Sequence, residues 1–129
     1  LKALQFSSYQ PDVLNYLGYT YLDLDITHKF EDARKMLEEA LSQKPDDAYI
    51  LDSMAWYYFK VGRFNDSLKL FEYAILIDPS DPTINDHFGD ALWKVGKFSQ
   101  ARYQWKKAIE ANEDELASQK IKKKLIIGI

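Results

Sequence analysis

No cysteine occurs among the 129 residues of this chain. That excludes disulfides, Cys-based zinc sites and a thiol nucleophile, and it leaves the redox compartment open. The five glycines are scattered, so no P-loop or dinucleotide fingerprint is available to cradle a phosphate. No run approaches the roughly 18 apolar residues that cross a bilayer. The opening LKALQFSSYQ lacks the basic, apolar, small-residue order of a signal peptide, and the sequence does not set a localisation. A positive excess is also missing: 17 Lys and Arg stand against 20 Asp and Glu, for a net charge of −3. Duplex affinity comes mainly from Lys and Arg neutralising phosphates, so nucleic acid is not an expected partner.

The charge that is present forms a gradient. Residues 11–47 hold nine acids and four bases, 48–81 five and three, and 82–115 six and five; the remainder of the chain holds five lysines and no acid. Four of those lysines lie in the C-terminal tail KIKKKLIIGI. Lysines beside apolar residues suit an acidic membrane surface, yet a capping helix with a solvated basic edge is the favoured reading and a membrane partner is not expected.

The chain writes one pattern repeatedly. SMAWYYFKVGRFNDSLKLFEYAILIDP from Ser53 and HFGDALWKVGKFSQARYQWKKAIEANE from His87 are offset by 34 residues. Aligned on Gly62 and Gly96, they match Ala55 with Gly89, Phe64 with Phe98, Ser67 with Ala101, Phe71 with Trp105 and Ala74 with Ala108. Self-similarity at such a period marks stacked supersecondary units. Each unit has apolar residues at spacings of three and four on both sides of the glycine, which is the period of an amphipathic helix. The unit is therefore a helix pair: a small residue at Ala55, Ser67 and Ala74 lets the helices approach, and Phe64 and Phe71 fill the space between them. Gly62 and Gly96 suit helix C-caps. Asp81-Pro82 suits an N-cap followed by a first-turn proline.

A third copy precedes these, with Leu17-Gly18 opposite Met54-Ala55, and with Phe30, Ala33, Leu37, Ala40 and Pro45 opposite Phe64, Ser67, Phe71, Ala74 and Pro79. Its inter-helix turn is three residues longer, through LDITHK, and has no glycine. Ala3 matches the tail of a further unit, so the chain is expected to be a fragment of a longer array. Beyond residue 115, Leu116, Ala117, Ile121 and Leu125 share one side of a helix expected over 114–126, which caps the last unit.

The pattern resembles the tetratricopeptide repeat (TPR): small residues at the eighth, twentieth and twenty-seventh positions, aromatics near the seventeenth and twenty-fourth, and proline near the thirty-second. The match covers residues 11–115, and LNYLGY, AYILDSMAW and INDHFGDALWKVGKFSQARYQWKKA look like the C-terminal repeats of a larger bacterial TPR protein. The resemblance implies an all-α, right-handed superhelical solenoid of three antiparallel helix pairs plus a C-terminal capping helix. The units are 1–10, remnant of a preceding repeat; 11–47, with the long turn; 48–81; 82–115; and the cap, 116–129.

The same resemblance implies that the first helices of the pairs line a concave groove. Its expected binding residues here are Asn15, Tyr16, Tyr19, Tyr49, Asp52, Trp56, Phe59, Asp86, His87, Asp90 and Trp93. Aromatic side chains provide contact area at small rotamer cost, so Tyr19, Trp56 and Trp93 are the expected anchors. Asp52, Asp86 and Asp90 favour Lys or Arg on a ligand. The basic clamp by which chaperone-binding TPR domains grip a terminal carboxylate is absent, because Asn15, Tyr19, Ser53, Thr83 and His87 stand where it would need basic side chains.

Catalysis is not expected. Asp86, His87 and Asp90 lie within about one helical turn, but His87 diverges from Asp86 by about 100° and no second histidine has ligand spacing, so His87 is expected to be capped or exposed and no metal or cofactor is expected. Ser53 and His87 have no nucleophile elbow or Gly-rich loop to complete a hydrolase. His28, in the long turn, is expected to be exposed. The expected role is a non-enzymatic protein-interaction scaffold that binds a basic or apolar peptide in the groove. The alternative is a structural spacer or self-association module, with a homodimer through the C-terminal helix. An enzyme whose catalytic domain lies elsewhere is a more distant option.

Overall fold

The structure is a computed structural model that describes residues 9–129; the partial repeat expected around Ala3 lies outside the described residues. Among the described residues, seven α-helices follow one another: α1 (Pro11–Asp23), α2 (Phe30–Gln43), α3 (Ala48–Lys60), α4 (Phe64–Ile77), α5 (Pro82–Lys94), α6 (Phe98–Ala111) and α7 (Glu115–Ile127). A 3-10 turn, Thr27–Lys29, precedes α2. No strand occurs among the described residues.

Local chemistry fixes where the helices begin. The Asp47 carboxylate accepts from the Tyr49 and Ile50 amides, Asp81 from Ile84, and Asp114 from Leu116 and Ala117. Each capped start satisfies amides that have no partner within the helix, a contribution of about 1 kcal/mol. Pro11 and Pro82 occupy the first turns of α1 and α5, where a missing amide hydrogen costs nothing.

The three pair-closing turns share one hydrogen-bond pattern. The amides of Ile26, Arg63 and Lys97 donate to the carbonyls of Tyr21, Tyr58 and Leu92, five residues back, at 2.8–3.0 Å. The residue before each donor has a positive φ: Asp25 at 55°, Gly62 at 83° and Gly96 at 84°. Asp25 therefore takes the left-handed position that glycine takes in the other two turns, and aspartate is among the few residues that tolerate it. The longer first turn is thus the same C-cap, followed by an inserted 3-10 turn.

Packing follows the repeat. Helices pair as α1 with α2, α3 with α4 and α5 with α6; α2 packs on α3, α4 on α5 and α6 on α7. The second helix of each pair carries three residues with no exposed surface: Ala33, Leu37 and Ala40; Ser67, Phe71 and Ala74; Ala101, Trp105 and Ala108. A single apolar cluster runs from Leu22 and Leu37 through Ala55 and Phe71 to Trp105 and Ile121. Phe64, expected to fill the space within its pair, is only half-buried, and its counterpart Phe98 is 46% exposed. The contacts between α1 and α3 and between α3 and α5 place the first helices side by side on one face, which carries the candidate site.

Candidate functional site

A cleft of about 340 Å³ opens on the face formed by the first helices. Asn15, Tyr16 and Tyr19 line it from α1, Tyr49, Asp52 and Ser53 from α3, and Asp81 and Thr83 from the start of α5. Tyr16 is 71% exposed and Tyr49 56% exposed, while Tyr19 is half-buried. Burial, with the carboxylates of Asp23, Asp52 and Asp86, pushes the Tyr19 hydroxyl well above the usual tyrosine range. Burial likewise raises Asp81, partly offset by the amide of Ile84.

Deeper in the molecule the aromatic and acidic residues serve the chain itself. Asp52 is buried and meets the buried His87 across the repeat boundary, with Nδ1 of His87 at 3.0 Å from Oδ1 of Asp52. Burial pushes the imidazole pKa down, but Asp52, with Asp86 and Asp90 behind it, more than offsets this and raises it. Trp56 is buried and stacks on His87 with ring centroids 3.9 Å apart and on Phe59 at 4.7 Å. His87 is therefore neither capped nor exposed. It is an interior side chain, and Trp56 is a core residue rather than an anchor open to a ligand.

At the C-terminal end, α7 supplies a cation of its own. Nζ of Lys124 lies 2.8 Å from Asp86 Oδ1 and 2.9 Å from Asp90 Oδ1, and the indole Nε1 of Trp105 donates to Asp90 at 3.1 Å. Burial raises the Asp90 pKa, Asp86 adds to the rise and Lys124 opposes it. Gly128 closes over Trp93: a Cβ there would lie 2.2 Å from Cζ2 of the indole. Trp93 is half-buried, with the Arg102 guanidinium 5.0 Å from its ring. The expectation that Asp86 and Asp90 stand free for a ligand's cations is corrected, because both carboxylates hold Lys124. The physical reason is that α7, packed on α6, brings Lys124 between the two carboxylates.

Of the eleven residues expected to bind, the structure brings Asn15, Tyr16, Tyr19, Tyr49 and Asp52 to the open cleft. Trp56 stacks with both His87 and the half-buried Phe59, and Asp86, Asp90 and Trp93 meet α7 and the residues that follow it. Asp81 joins the cleft as well as capping α5. Lys124 was not foreseen as a partner for the acidic residues, although the period signals it: Lys124 lies 34 residues after Asp90, and Gly128 34 after Lys94. Lys60 behaves similarly, pairing with Asp25 at 2.9 Å and lying 5.2 Å from the Trp56 ring centre.

Solved structures superpose on these helix pairs. The Yersinia enterocolitica type III secretion translocator chaperone SycD aligns with a TM-score of 0.76 at 17% identity, over 90% of this chain and 87% of that one. The chain has the tetratricopeptide-repeat fold. A second TPR structure, the second TPR of Spaghetti (RPAP3) bound to HSP90 peptide SRMEEVD, aligns at 0.69 with 20% identity, over 87% of this chain and all of that one. SycD in complex with a peptide of the translocator YopD aligns at 0.74 with 17% identity, over 89% and 88%. Among curated proteins, a TPR repeat-containing protein of Pseudomonas aeruginosa is 40% identical over 57 residues, 42% of this chain and 9% of that protein. The chain thus spans less than a tenth of that relative's length. No family model matches the chain.

Proposed function

We propose that this TPR array is a non-enzymatic scaffold that holds a basic or apolar peptide segment on its concave face. The observation that carries the reading is the open cleft of Asn15, Tyr16, Tyr19, Tyr49 and Asp52, in which two tyrosines lie mostly exposed on rigid helices. Aromatic rings on a fixed backbone lose little entropy on contact and supply large area. Similar folds were solved with peptides bound, HSP90 peptide SRMEEVD in one and a peptide of YopD in another, which supports the class of ligand and not its sequence. The test is a random peptide library panned on the chain and on its Tyr16→Ala/Tyr49→Ala variant. The expected result is a set of binders lost on the variant, with circular dichroism unchanged. A library that yields nothing, or binders indifferent to the two substitutions, sinks the reading.

A second reading has its own observation. Leu116, Ile126 and Ile127 on α7 are 72%, 80% and 66% exposed, which favours self-association through the C-terminal helix. Sedimentation over a range of concentrations tests it: a dimer broken by Ile126→Lys supports it, and a strict monomer removes it.

A further inference from the structure

We propose that the open cleft is a receptor for one Lys or Arg side chain of the bound peptide, with Asp81 as the carboxylate that receives its charge. This rests on the groove reading above and names the chemistry of its occupant.

What the same chain does elsewhere supports this. At several places an aromatic ring and a carboxylate converge on a cation of the chain itself, and two of these cations are lysines in contact with Trp56 and Trp105. Lys60 lies 5.2 Å from the ring centre of Trp56 and pairs with Asp25. Lys124 lies 6.0 Å from the ring centre of Trp105 and sits between Asp86 and Asp90. The pairing is physically sound, because a ring face attracts the ammonium group, the carboxylate neutralises it and the methylene stem covers apolar surface. The cleft repeats the ring and the carboxylate. Tyr16, Tyr19 and Tyr49 form its aromatic walls, and Asp52 and Asp81 its acidic ones.

What differs is the cation. None of the residues that line the cleft is a lysine, arginine or histidine. Asp52 already meets His87. Asp81 is half-buried, its Oδ2 accepts from the Ile84 amide, and among the described residues it has no ion-pair partner. The Asn15 side-chain oxygen, contributed by α1, is buried without a donor. A half-buried carboxylate beside aromatic walls, with no cation of its own, fits an amphipathic basic side chain: the stem against tyrosine, the charged tip on Asp81. An acidic side chain is repelled at the same place.

The experiment uses two acetylated, amidated pentapeptides, Ala-Leu-Arg-Leu-Ala and the same peptide with citrulline for arginine, which keeps the shape and removes the charge. Each is titrated into the isotopically labelled chain. The Arg peptide is expected to shift the backbone amides of Tyr16, Tyr49, Ser53 and Thr83, and to bind about tenfold or more tightly than its citrulline twin, as a charge-assisted contact requires. Asp81→Asn should reduce the Arg peptide to the level of the twin. Asparagine caps a helix about as well as aspartate, so this variant removes the charge while keeping α5 in place. Equal affinity for the two peptides at the cleft overturns the cation receptor and leaves the groove reading standing. No shift at these amides with either peptide overturns it as well, whereas failure of the groove reading shows separately, as a library without variant-sensitive binders.

Discussion

Asp52 and His87, 35 residues apart, meet with Nδ1 of the imidazole 3.0 Å from the carboxylate in the interior between the second and third helix pairs. The stacked rings of Trp56 and Phe59 extend from the same imidazole, so one ion pair sits at the junction of two repeats. Its charge state sets a pH dependence.

The His87 pKa is raised by Asp52 despite burial. A group with a raised folded-state pKa contributes stability that is complete below its unfolded value, about 6.5 for histidine, and is lost as pH rises through the folded value. Urea stability is therefore expected to fall as pH increases from about 6.5 through the raised His87 value. Asp52→Asn should move the His87 NMR titration downward, abolish this slope and cost about 3 kcal/mol at pH 6, since breaking a buried pair strands its partner. A His87 titration unmoved by Asp52→Asn would contradict the pairing.

Gly89 carries the closest contact within a helix pair. A Cβ on Gly89 would lie 2.4 Å from Cδ1 and Nε1 of Trp105, and Trp105 is fully buried. Helix propensity favours alanine there by about 1 kcal/mol, but overpacking against an indole that cannot withdraw costs about 1–3 kcal/mol. Gly89→Ala is expected to be destabilising in chemical denaturation. Gly18→Ala should cost less, because the atoms it meets first, 2.9 and 3.1 Å away, belong to the end of the Leu37 side chain. Equal losses at the two positions would refute the role given to Trp105.

Lys124 ties α7 to the last repeat. Lys124→Met leaves Asp90, which is buried against Trp105, without its cation, and a loss of about 3 kcal/mol is expected. Hydrogen exchange should rise along α7, with the Asp90 pKa moving further upward. Adding Asp90→Asn should recover part of the loss by removing the stranded charge. Without that recovery, Lys124 contributes packing and no charge pairing.

The groove aromatics should separate in one alanine series. Tyr16→Ala and Tyr49→Ala remove exposed rings and are expected to leave stability within about 0.5 kcal/mol while removing peptide binding. Trp56→Ala opens the core and should cost about 3–5 kcal/mol. Thermal melts alongside a binding assay distinguish the two groups, and a Trp56 variant as stable as the parent would place that ring outside the core.

The first-turn cap gives a backbone test. Asp25→Ala places an ordinary side chain at a positive φ and removes the partner of Lys60, so a loss of about 1–2 kcal/mol is expected. Asp25→Gly removes the same ion pair but relieves the backbone, and should be closer to neutral. If both variants lose equally, the effect belongs to Lys60.

The sequence by itself determined the repeat. The 34-residue offset, the small residues at Ala55, Ser67 and Ala74, the glycines at Gly62 and Gly96 and the Asp81-Pro82 start are local or periodic features, and local hydrogen bonding and helical spacing convert them directly into helices and turns. The register of the inward face came from the resemblance to the tetratricopeptide repeat, which is how Tyr16, Tyr19 and Tyr49 came to be expected there. Tertiary structure alone decided which inward residues remain open. Whether an aspartate on that face awaits a ligand depends on the cation that the next helix brings within 3 Å, and so Asp52 went to His87, Asp86 and Asp90 went to Lys124, and Asp81 stayed without an ion-pair partner among the described residues. A charge is a property of one residue, but its neutralisation belongs to a pair, and in this chain the partners lie one repeat apart.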